Sequence, residues 1–60
     1  MTKNQFRYAL ERLGLTQGQA AEHMGKTIKM VNNYATGKYP IPTLVAEVLR
    51  LWLKHGMPKP

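Results

Sequence analysis

The 60 residues contain no cysteine and no aspartate. Without thiols there are no disulfides, no thiolate nucleophiles and no cysteine-based zinc sites. Acid is scarce altogether. Glu11, Glu22 and Glu47 are the only side-chain carboxylates, too few and too scattered for a paired general acid and base, so the chain is not expected to be an enzyme. His23 and His55 lie far apart without a third spaced ligand, and neither a metal nor a cofactor is expected. The longest apolar-rich stretch, Leu44 to Leu53, is broken by Glu47 and Arg50 and is half the roughly 20 residues of a membrane span. Met1 to Ala9 carries Lys3, Asn4, Gln5 and Arg7 where a secretion signal has an apolar run. These absences lead to the expectation of a cytoplasmic protein without a membrane partner.

What the chain does have is base. Nine Lys and Arg residues give a net charge of +6, yet 43% of the residues are hydrophobic. That pairing predicts a folded basic domain with a polyanionic partner, and argues against a disordered tail. Sixty residues make one domain, expected over 1–56 with a flexible tail at 57–60. A domain this small buries only about 60% of its unfolded surface, and self-association is one remedy for the marginal stability that follows.

Gly14, Gly25, Gly37 and Gly56 punctuate four segments of helical period. In the first, Phe6, Ala9, Leu10 and Leu13 form one stripe, with Thr2 and Gln5 spaced as a capping box and Gly14 suited to the left-handed closing position. Thr16 and Gln19 repeat the box, Leu15 can staple onto Ala20, and Ala20, Ala21 and Met24 face inward. Thr27 caps a third helix whose inner stripe is Val31, Tyr34 and Ala35. Pro40 stops the helical pattern, and Pro42 has the fixed φ that suits entry into a fourth helix. The expected architecture is all-α, with helices at 3–13, 17–24, 28–36 and 42–55. Helices two and three, joined by a short glycine-containing turn, make a helix-turn-helix.

On the fourth helix Leu51, Leu44, Val48, Trp52, Val45, Leu49 and Leu53 spread over an arc of about 200°, wider than one core contact needs. Leu44, Val45, Val48 and Trp52 suffice to cover an inner face. That leaves Leu49 and Leu53 on one flank, or Leu51 on the other, without an internal reason to be apolar. A homodimer interface of Leu49, Trp52 and Leu53 is the expectation.

From about Leu10 to Trp52 the chain resembles the Cro and lambda-repressor-like helix-turn-helix regulators. The resemblance is carried by Gln17 opening helix two, Ala21 at the helix crossing, Gly25 in the turn, Thr27 capping helix three, then Val31, Tyr34 and Gly37-Lys38. Lys26 stands where the family usually has an apolar residue. Compact proteins of this type include phage repressors, antitoxins and anti-CRISPR-associated autoregulators. The resemblance implies a four-helix lambda-repressor-like domain whose third helix enters the major groove of double-stranded DNA.

Carried over residue by residue, the exposed face of that helix is Ile28, Lys29, Asn32, Asn33 and Thr36. Lysine can donate to guanine O6 and N7, asparagine can bind adenine N6 and N7 together, and Ile28 can pack on a thymine methyl. Met30 packs inward or lies at the DNA. Phosphate contacts are expected from Thr16, Gln17, Lys26, Thr27, Lys38, Tyr39 and Arg7, because helix N-termini and neighbouring donors suit an anion. Competing readings are a rim aromatic for Tyr39 and plain solvated charge for Arg7 and Lys3. The function implied is a homodimeric repressor or autoregulator on an inverted-repeat operator, cytoplasmic and nucleoid-associated when bound. The alternative is a protein-interaction module, such as an antitoxin or adaptor, docking through the apolar face of helix four.

Overall fold

In a computed structural model the protein is all-helical over the described residues, 1–57. The four helices are α1 (Lys3–Leu13), α2 (Gln17–Met24), α3 (Ile28–Thr36) and α4 (Thr43–His55). Residues 58–60 of the expected tail lie outside the described residues.

Threonines start the first three helices. The Thr2 hydroxyl accepts from the Gln5 amide at 3.1 Å, while Gln5 Oε1 accepts from the Thr2 amide at 2.8 Å. Thr16 and Gln19 repeat this reciprocal pair at 3.1 and 3.0 Å. Thr27 caps α3 through the Met30 amide alone, at 3.1 Å, because Met30 has no carboxamide to return the bond. Pro42 stands just outside α4, at its N-cap, and not at its first helical position as expected. It offers no side-chain cap.

Gly25 ends α2 at φ +66°, a left-handed conformation that glycine adopts without penalty. The turn to α3 follows at once, with the Lys26 amide donating to the Ala21 carbonyl at 2.8 Å. Within the bundle α2 packs on α3, and α1 packs on both α3 and α4.

The core is formed by Phe6, Ala9, Leu10, Ala20, Ala21, Val31, Tyr34, Ala35, Val45 and Leu49. Four of these ten are alanines, which lets short helices approach closely enough to enclose the few large side chains. The Phe6 and Tyr34 rings meet edge to face with centroids 5.9 Å apart. Leu15, Met24, Met30, Ile41 and Trp52 seal the rim.

Helix α4 is turned relative to the expected orientation. Its buried residues are Val45, Ala46 and Leu49, and Leu49 is completely buried. Leu49 is therefore core and is withdrawn from the expected dimer interface. Trp52 is half-buried with its ring edge against His23, centroids 6.1 Å apart, and Leu53 stays 42% exposed. Leu44, expected on the inner face, is 75% exposed. Val45 and Ala46 in the same turn are buried, so Leu44 lies on the side of α4 turned away from the core. The arc has a single centre once Leu49 occupies it, with Val45 and Ala46 one turn away. Exposed leucines remain on both edges of the arc, Leu53 on the flank expected, and Leu44 and Leu51 with half-buried Val48 on the opposite one.

Candidate nucleic-acid interface

Helix α3 buries Val31, Tyr34 and Ala35 and turns Ile28, Lys29, Asn32 and Thr36 to solvent. Ile28 is 61% exposed, although part of its side chain lies over the start of α2: a Cβ placed on Gly18 would stand 3.6 Å from Ile28 Cδ1. The two helix beginnings thus meet at one edge. There Asn32 Nδ2 donates to Gln17 Oε1 at 3.2 Å. Gln17 keeps its Nε2 donor, and Asn32 keeps Oδ1 and a second amide hydrogen.

Asn33 departs from expectation. It is only 8% exposed and does not belong to the free face. The chain folds back on this flank after Gly37, and the amides of Lys38 and Tyr39 donate to the Asn33 carbonyl at 2.9 and 3.4 Å. The same carbonyl accepts from the Thr36 hydroxyl at 3.3 Å. Asn33 closes the end of α3, and Thr36 offers the surface its methyl group and an acceptor. Met30, the ambiguous residue, packs against the core.

The donors expected at phosphates flank this face at both ends. Thr16, Lys26, Thr27 and Lys38 are exposed, and Gln17 is half-buried. The Thr16 and Thr27 hydroxyl oxygens accept cap bonds, which leaves each hydroxyl hydrogen to donate outward. Tyr39 is 46% exposed, with the Lys38 ammonium 5.8 Å from its ring centroid.

One cation gains a place that the sequence does not signal. Gly37 has φ +82°, and the Lys3 stem crosses it so closely that a Cβ there would stand 2.9 Å from Lys3 Cδ. The start of α1 is thereby joined to the end of α3, with the Lys3 stem over the residue that precedes Lys38. Arg7, exposed one turn later, shares the Lys3 face of α1. No stretch of sequence links Lys3 with Gly37; only the tertiary packing of α1 on α3 does.

The Glu22–Glu47 interval holds no acid, whereas Lys26, Lys29 and Lys38 fall within it. The surface built from α3 and its flanks is accordingly positive, and suits an anion more than a cation or a metal. Among the described residues no three His, Cys, Asp or Glu side chains cluster, and no helix is long and apolar enough to cross a membrane. Comparison with protein-family models, curated proteins and solved structures found no match for this chain.

Proposed function

We propose that the chain is a sequence-specific double-stranded DNA-binding regulator whose α2 and α3 act as a helix-turn-helix of the Cro and lambda-repressor-like type. It acts as a homodimeric repressor or autoregulator, occupying an inverted-repeat operator in the cytoplasm and residing at the nucleoid when bound. The observation that carries this reading is the solvent face of α3, where Asn32 is held by Gln17 between exposed Ile28, Lys29 and Thr36.

In this reading Asn32 reads adenine through Oδ1 and its second amide hydrogen, the first being engaged by Gln17. Lys29 donates to guanine, and Ile28 packs on a thymine methyl. Gln17 uses Nε2 on a phosphate and thereby ties backbone register to base readout. Thr16, Lys26, Thr27, Lys38, Tyr39 and Arg7 hold the backbone, and Lys3 joins them through its position over Gly37. The fixed donors come from helix ends, so the surface is largely formed before DNA arrives.

Salt titration of binding to duplex DNA tests the proposal. Each phosphate neutralised contributes about −0.9 to the slope of log K against log salt, so the cations Lys3, Arg7, Lys26 and Lys38 of each protomer predict a steep fall in affinity. A salt-insensitive association with DNA, or none at low salt, contradicts it.

A further inference from the structure

The outer side of α4 carries Leu44, Val48, Leu51 and His55 at successive spacings of four, three and four residues. This is the repeat of a two-helix seam. Leu44 is 75% and Leu51 55% exposed, and Val48 is half-buried. Glu47 and Lys54 run beside this seam, both exposed and seven residues apart on the same flank.

We propose that this face binds a second copy of the chain, with the two α4 helices antiparallel across a two-fold axis between residues 49 and 50. In that register Val48 of each copy lies against Leu51 of the other, and Leu44 lies against His55. Glu47 then stands on the same flank as Lys54 of the second copy. The two are about 3 Å apart along the helix axis, and the symmetry forms the ion pair twice.

The charges select this occupant and this direction. A parallel pair sets His55 against His55 and places Glu47 opposite the Val45 and Trp52 flank, where it finds no cation. An antiparallel pair satisfies the only acid of α4 reciprocally. The seam is also self-complementary, as a two-fold interface requires. This inference rests on the two-half-site reading of function for its purpose, and on α4 alone for its geometry.

Sedimentation equilibrium without DNA tests it, at moderate salt, where the repulsion between two +6 copies is screened beyond about 8 Å. The wild type is expected to dimerise in the micromolar range, and Leu51→Lys to be monomeric. Glu47→Lys and Lys54→Glu, each of which sets like charges opposite one another twice, should weaken association on the order of tenfold or more. The double exchange Glu47→Lys with Lys54→Glu should restore it. All these positions are exposed, so helical circular dichroism should stay unchanged. A wild type monomeric at high micromolar concentration, single reversals that dimerise normally, or an exchange that fails to rescue each overturn the interface. A monomer that still selects one DNA sequence overturns the interface and leaves the DNA reading standing. A dimer that follows the charge pattern yet ignores DNA supports the interface and removes the DNA reading.

Discussion

Asn32 Nδ2 donates to Gln17 Oε1 across 3.2 Å, so the first residue of α2 holds a carboxamide on the free face of α3. Fifteen positions apart in sequence, the two residues form one polar unit at the edge where α2 and α3 begin.

Asn32→Ala should cost about 1–3 kcal/mol on the preferred sequence and relax preference at one base pair. Gln17→Ala should weaken binding to all sequences and also blunt the preference at that same pair. The double substitution should cost less than the sum of the two, because each single change already breaks the unit. Fluorescence anisotropy with single-base variants of the selected site measures all three effects, and strict additivity is the contrary result.

Leu49 and Leu53 are one turn apart and carry the same side chain, yet only Leu49 is fully buried. Leu49→Ala should destabilise the fold by about 2–5 kcal/mol, a large share of what a domain of this size possesses. Leu53→Ala should cost about 1 kcal/mol or less, since it is already 42% exposed. Urea unfolding of the two variants decides the point, and equal losses contradict the orientation of α4.

That pair also marks how far local sequence reaches. All four helices are legible because their signals are local: Thr2 with Gln5, Thr16 with Gln19, Thr27, and the glycines that close them. The orientation of α4 is not local. Its apolar arc of about 200° has no preferred centre until Leu49 meets the rest of the core. Asn33 misleads for a related reason. On the helix it sits at the edge of the free face, and only the return of the chain onto its carbonyl encloses it. Lys3 is the opposite case, an apparently solvated charge that tertiary packing lays across Gly37. The other four residues of the expected face, Ile28, Lys29, Asn32 and Thr36, are exposed on α3.

Gly37→Ala and Gly25→Ala impose the same left-handed strain, about 1–2 kcal/mol, since φ is +82° and +66°. A methyl group at Gly25 meets nothing within 4 Å, whereas one at Gly37 meets the Lys3 stem. Gly37→Ala should therefore be the more destabilising, and Lys3→Ala should remove the excess. Thermal unfolding of the single and double variants measures this. An equal cost at the two glycines contradicts a fixed position of the Lys3 stem over Gly37.

Lys38→Ala and Lys3→Ala should each weaken binding to every DNA sequence alike and reduce the salt slope by about 1 per protomer. Lys29→Ala should instead change which sequence is preferred. Affinities on preferred and scrambled duplexes across a salt series separate the two patterns. A change of preference in Lys38→Ala, or an unaltered preference in Lys29→Ala, reverses the assignment.

Selection of bound sequences from a random duplex library tests the DNA-binding proposal. Enrichment of an inverted repeat is expected, with half-sites about 34 Å apart, one turn of DNA, and with the enrichment lost in Asn32→Ala combined with Lys29→Ala. Recovery of no common sequence by a folded wild-type protein contradicts it.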